Sequence, residues 1–157
     1  MDFQLTSGAF ENNGTMPARY TCRGENVSPP LSWTDPPDGT AELALVVVDL
    51  DTPFGTITHW IVYGIPPDRR ELSEAVDAVT LSDAGISQGR NGAFRRHYMG
   101  PCPPWGRHRY VFTIYALDAS PSFRRIPSRK SLLRMIRPNI IASSTLTGLF
   151  ARGDGGE

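Results

Sequence analysis

The polarity pattern divides the chain into a few strongly apolar runs separated by turn-rich stretches. Leu43-Ala44-Leu45-Val46-Val47-Val48 is continuous and rich in β-branched residues, and it stops abruptly at Asp49. Such a run marks a strand buried on both faces. Ile57 to Ile65 and Tyr110 to Leu117 read as two further strong strands, and Ala18 to Thr21, Leu31 to Trp33 and Thr145 to Phe150 as shorter ones. Ser128 to Ala142 has helical spacing: Ser128 can cap it, and Leu132, Leu133, Ile136 and Ile140 share a face. Pro138 lies inside that pattern and predicts a kink or split after Arg137. Residues 66–106 show no clear period. There the expectation is a turn of helix over Asp68 to Val76, a short strand at Thr80 to Ser82 and otherwise long loop, which in a compact domain is usually functional or mobile. The tail from Ala151 to Glu157 is expected to fray. With no repeat and no linker, residues 1–157 read as one domain.

Composition supports that picture. A chain of 157 residues suits one core, and 39% hydrophobic content is enough to fill it. Gly 15 and Pro 14 favour a loop-rich β protein over a helical bundle. The formal net charge of +0 argues against nucleic acid as the main partner, because phosphate backbones demand clustered cations. The start, Met1-Asp2-Phe3-Gln4-Leu5-Thr6, lacks the features of a signal peptide, and no stretch approaches the ~20 apolar residues of a membrane span. The expected location is therefore the cytoplasm, without membrane insertion. Cys22 and Cys102 would by default be thiols there.

Two segments carry the candidate chemistry. The first is Asp49-Leu50-Asp51-Thr52-Pro53, followed by His59-Trp60. Residues two apart on a strand point the same way, so Asp49 and Asp51 should aim into one space and need a cation, a proton or several donors there. Strand-end aspartates also commonly cap loop amides, and a lone Asp-x-Asp does not decide between the two. Alternation places His59 with Ile57 and Ile61 on one face and Trp60 on the other. An isolated strand histidine is usually a satisfied core residue, but His108 opens the next strong strand in the same manner. His97, among Arg95, Arg96 and Tyr98, reads as solvated. The second segment is the rigid loop Gly100-Pro101-Cys102-Pro103-Pro104-Trp105-Gly106, leading into Arg107-His108-Arg109-Tyr110. Prolines fix such a loop in advance, and its free amides can hold an anion. No nucleophile elbow and no phosphate-binding glycine loop is present.

Both segments resemble the signatures of the phosphatidylethanolamine-binding protein family, also called Raf kinase inhibitor-like proteins. Asp49 to Pro53 with His59-Trp60 is similar to its Asp-Pro-Asp-Ala-Pro and His-Trp signature, with Leu50 and Thr52 departing. Gly100 to Phe112 is similar to its Gly-Pro-Cys-Pro-Pro-x-Gly loop leading to His-Arg-Tyr-x-Phe. Cys22 to Trp33 and Tyr115 to Asp118 look like further blocks of the bacterial and archaeal branch. Near the C-terminus, Pro138 and Asn139 stand where the family usually has Gly and His.

The resemblance implies a mainly β fold, a sandwich of two antiparallel sheets with one or two peripheral helices. It implies a small cavity for phosphate- or carboxylate-type anions, such as a phospholipid headgroup, without catalysis, cofactor or metal. Asp49, Asp51, Pro53, His59, Gly100, Cys102, Pro103, Pro104, His108 and Tyr110 carry over as ligand-binding residues. A kinase or protease is the implied protein partner, and a homodimer is compatible with it. The alternative is an enzyme: a metal-assisted hydrolase using Asp49, Asp51, His59 and His108, or a Cys102 thiol enzyme. Two finer expectations follow. Thr52-Pro53 should be cis, to make the sharp turn between the carboxylates and the His strand. Cys22 and Cys102 should lie close together, with a bridge and two thiols both left open.

Overall fold

The computed structural model describes residues 2–154. The apolar runs become long neighbouring strands: β4 (Glu42–Thr52), β5 (Gly55–Ile65), β8 (Arg107–Leu117) and β9 (Ile140–Ala151). With two-residue strands β2 (Gly14–Thr15) and β7 (Ser87–Gln88) they form a six-stranded sheet in the order β2-β9-β8-β4-β5-β7. A three-stranded sheet, β1-β3-β6, is built from β1 (Leu5–Thr6), β3 (Leu31–Trp33) and β6 (Glu71–Leu72). Every pairing is antiparallel except that of β2 with β9, where Gly14 stands beside Gly148. The expected two-sheet β fold is present.

The continuous apolar run in β4 has a direct cause. Leu43, Leu45 and Val47 face the small sheet, in a core with Leu31, Trp33, Leu72, Trp60 and Phe112. Ala44 and Val46 face the other way, against Ile61, Leu117 and helix α2 (Arg129–Ile136), which contributes Leu132 and Ile136. A central strand covered on both faces has no polar side to alternate with.

Several local expectations are corrected. Ala18–Tyr20 is a 3-10 turn, not a strand. Asp68 to Val76 contains no helix but strand β6. Thr80 to Ser82 lies in helix α1 (Ala78–Asp83), whose start Asp77 caps by accepting from the Thr80 amide. Ser128 caps α2 through a reciprocal pairing with Ser131. Pro138 does end the helix: α2 stops at Ile136, a 3-10 turn spans Arg137–Asn139, and Ile140 begins β9 rather than extending the helical face. The expected tail is β9 at Ala151 and a turn to Asp154, held by the Ala151 amide donating to Asp154; residues 155–157 lie outside the described part. No helix among the described residues is long and apolar enough to cross a membrane.

Candidate functional site

The end of β4 and the starts of β5 and β8 converge at one end of the large sheet, and the Gly100 loop folds over them. Between them lies a cavity of about 320 Å³. Asp49, Pro53, His59, Gly100, Cys102, Pro103, Pro104 and His108 line it, together with Thr52, Phe54, Ile57, Met99 and Trp105. Sequence reasoning had passed over Phe54 and Trp105, although each is a large aromatic in a turn-rich segment. They are 92% and 65% exposed, so they form an apolar rim at the mouth.

His59 reaches the cavity because strand β5 bulges. Trp60 pairs with Val47, while Thr58 pairs with Val48, so His59 is an extra residue between two ladder positions. The bulge turns adjacent residues His59 and Trp60 to the same side of the sheet. Ile57 shares that side, paired with Asp49, whereas Ile61 packs in the opposite core. The expected grouping of His59 with Ile61, opposite Trp60, is thereby corrected.

Both cavity histidines are held in the same manner. His108 Nδ1 lies 2.7 Å from Asp49 Oδ2, and both side chains are buried. His59 Nδ1 lies 2.5 Å from the Met99 carbonyl oxygen. A carbonyl can only accept, so His59 carries its proton on Nδ1; an ionised Asp49 imposes the same tautomer on His108. Each ring then presents Nε2 to the cavity. Neither Nε2 is among the fully enclosed, unpartnered atoms of the described residues. Asp49 Oδ1 accepts from the Asp51 amide at 2.8 Å, which completes its fixation. Burial pushes the His59 imidazole below its ordinary pKa, and His108 adds to that; the Met99 carbonyl and Asp49 pull the other way.

Tyr110 stands behind both rings rather than in the cavity wall. Its ring meets His59 edge-on at 5.3 Å and stacks on His108 at 6.3 Å. Its hydroxyl is enclosed without a hydrogen-bond partner of good geometry. Desolvation, with Asp49 close by, raises the Tyr110 pKa well above the ordinary phenol value.

Asp51 is not brought into the cavity. Its carboxylate accepts from the backbone N–H of Arg109 and from the guanidinium, at 2.8 to 2.9 Å. This engagement with Arg109 holds its pKa at about 2. Alternation fails here because the regular ladder with β8 ends at Asp49–Tyr110 and the register with β5 shifts after Asp49. The four-residue metal set therefore does not assemble. Among the described residues no group of three or more His, Cys, Asp and Glu is placed to hold a metal ion.

Cys102 is no thiol: it is bridged to Cys22, with Cα atoms 5.4 Å apart. That removes the thiol-enzyme alternative for this oxidised form. The bridge ties the Gly100 loop to the 20–26 loop. Two hydrogen bonds do the same, from Gly100 N to Asn26 Oδ1 and from Cys22 N to the Pro101 carbonyl. Gly100 N–H is thus engaged, and three loop positions are proline, which leaves Cys102, Trp105 and Gly106 as the loop's remaining amide donors. The Thr52-Pro53 bond is not cis; the described residues contain no cis peptide. The turn closes instead with Pro53 in its leading position and Gly55 at φ 100°, a value glycine adopts freely. His97 is exposed, as expected.

The fold has clear counterparts. The family model for phosphatidylethanolamine-binding protein matches residues 6–151. The UPF0098 protein of Methanothermobacter thermautotrophicus is 43% identical over 150 residues, covering 95% of this chain and 99% of its own. That of Aquifex aeolicus is 40% identical over 153 residues, covering 95% and 88%. Among solved structures, a phosphatidylethanolamine-binding protein homologue from Chlamydia trachomatis superposes with a TM-score of 0.86 at 37% identity, covering 94% of this chain and 96% of that one. E. coli YbcL, a member of the mammalian family, superposes with a TM-score of 0.88 at 28% identity, covering 96% and 99%. A match that runs nearly end to end, over the strands and loops that enclose the cavity, leads to one conclusion: the chain belongs to the phosphatidylethanolamine-binding protein family.

Proposed function

We propose that the chain is a non-catalytic binding protein whose cavity takes a phosphate- or carboxylate-type group, as on a phospholipid headgroup or a phosphorylated partner. The observation that carries this reading is the pair of histidines, each anchored through Nδ1 and presenting Nε2 to one small cavity. A neutral Nε2 accepts a hydrogen bond and suits a ligand hydroxyl or ammonium. A protonated ring donates from Nε2 and suits an oxyanion. Anion binding is therefore coupled to proton uptake. The apolar rim of Phe54 and Trp105 favours a ligand whose anionic group is attached to an apolar or aromatic body. In the regulatory version of this reading, a kinase or protease partner presents that group.

Calorimetric titration with inorganic phosphate and with phosphoethanolamine, at about pH 5.5 and about pH 8, tests the reading, because free histidine titrates near 6.5. Binding should tighten at the lower pH and weaken in His108→Ala and His59→Ala. Equal affinity in wild type and His108→Ala would remove His108 from the site.

A cytoplasmic location belongs to the same proposal, and the Cys22–Cys102 bridge makes it testable. Structural disulfides persist mainly in oxidising compartments, with hyperthermophile proteins as an exception. Alkylation of the protein at the moment of cell lysis, followed by thiol counting, should find no free thiol if the bridge exists in the cell; two alkylated cysteines would show that it forms afterwards.

A further inference from the structure

The face of the molecule that carries α2 holds a second concavity, far in sequence from the histidine cavity. Between Asp118 and Asp154 the chain has no acidic residue, yet it carries Arg124, Arg125, Arg129, Lys130, Arg134, Arg137 and Arg152. The overall balance of +0 hides this segregation. The fold gathers part of it into a groove of about 610 Å³ between α2, the 122–128 segment and Arg90. Arg90, Arg124, Arg125 and Arg134 line the groove, and Phe123 and Met135 supply apolar surface. The loop bearing Arg90 is fastened there by its amide, which donates to the Pro127 carbonyl.

Among the described residues those four guanidiniums have no internal counter-ion: none has a carboxylate within 4.0 Å, whereas Arg19, Arg70, Arg107 and Arg109 each do. Four like charges around one hollow repel one another, and a ligand with several negative groups relieves that repulsion. Guanidinium forks also match carboxylate and phosphate oxygens two at a time. The N-terminus of α2 is already engaged in part, because the Ser128 and Ser131 side chains accept from each other's amides.

We propose that this groove is a docking site for an acidic peptide segment of a partner protein, carrying carboxylates or phosphates interspersed with apolar side chains. Its concave shape favours a peptide over a membrane surface. The Phe123 ring packs back on Tyr63 at 5.1 Å instead of projecting, and Met135 is only 44% exposed, so the groove offers hollows rather than insertion anchors. Alternating charge and apolar contact along an extended peptide match arginines set around Phe123 and Met135.

Fluorescence anisotropy of the full chain with a fluorescein-labelled peptide of alternating Glu and Leu tests the proposal. The arms are wild type, Arg124→Glu/Arg125→Glu, Arg134→Gln, and Arg23→Glu as a charge change outside the groove. Thermal melts confirm that each variant folds. Wild type and Arg23→Glu should bind alike, and more weakly as salt rises. The double variant should lose about tenfold or more, the effect of removing charge-assisted contacts and adding repulsion, and Arg134→Gln should lose a smaller factor. Equal affinity in the double variant, equal affinity for the same peptide with Gln in place of Glu, or binding to phosphatidylglycerol vesicles without binding to the peptide would each overturn the proposal.

Discussion

At the scale of single residues, the cavity depends on which ring nitrogen is free. Asp49 sets this for His108, so Asp49→Asn should leave the fold intact but allow the other tautomer. Phosphate affinity should fall, and NMR of the His108 ring nitrogens should show Nδ1 no longer uniformly protonated; an unchanged tautomer would show that packing alone sets it. His59 gives a pH dependence of stability. Its folded pKa lies below the unfolded value of about 6.5, so the unfolded chain binds protons more readily. The contribution is fully present above about 6.5 and is lost as pH falls through the depressed folded value. Denaturant midpoints for wild type should therefore drop below about pH 6.5 more steeply than for His59→Gln. Tyr110→Phe removes an enclosed, unpartnered hydroxyl, so it should be neutral or stabilising, by up to about 1 kcal/mol. A clear loss in urea unfolding would show that the hydroxyl is hydrogen-bonded after all, Asp49 being the nearby carboxylate.

At the scale of elements, the cavity wall is a loop held by its neighbours more than by itself. A Cβ on Gly100 would come within 2.2 Å of Asn26 Oδ1 and 2.5 Å of the Tyr20 carbonyl oxygen. Gly100→Ala must therefore push the 20–26 and 100–106 loops apart. Expected costs are about 1–3 kcal/mol, in the range of overpacked sites, together with weaker phosphate binding. Urea unfolding and calorimetry read the two effects separately, and no change in either would mean that the two loops do not need to touch. The long strands and the helix start at Ser128 were legible because period and caps are local properties. The reversals came where an element was short. Ala18 to Tyr20 finds no partner strand among the described residues and closes a 3-10 turn instead. Thr80 to Ser82 is β-prone in composition, yet the Asp77 cap and the burial of Leu81 make it helical. Over a few residues propensity is a weak prior, and tertiary contacts override it.

At the scale of the whole molecule, one covalent link spans a separation of 80 residues and joins the two loops beside the cavity. On the chain-entropy account, closing a loop of that length stabilises by roughly 4–5 kcal/mol. Reduction, or Cys22→Ser with Cys102→Ser, should lower the thermal midpoint and loosen the cavity mouth. Midpoints that do not move would place the stability of this region in its hydrogen bonds and packing.

Proximity of Cys22 and Cys102, the burial of β4 on both faces, and the gathering of Asp49, His59, His108 and the Gly100 loop were all within reach of the sequence. The apolar runs fix which strands are central, and the resemblance to known signatures aligns the loops that follow them. Three matters depended on tertiary structure. A bulge, invisible to strict alternation, turned His59 and Trp60 to one side. A register shift at the end of β4 sent Asp51 to Arg109 and left Asp49 alone with His108. Packing of α2 against the far face of the sheet brought Arg124, Arg125 and Arg134 together with the distant Arg90 in one groove. The physical reason is common to all three. Period and propensity describe a chain segment in isolation, whereas bulges, register and groove shape are settled by which neighbour each backbone group and side chain finally meets.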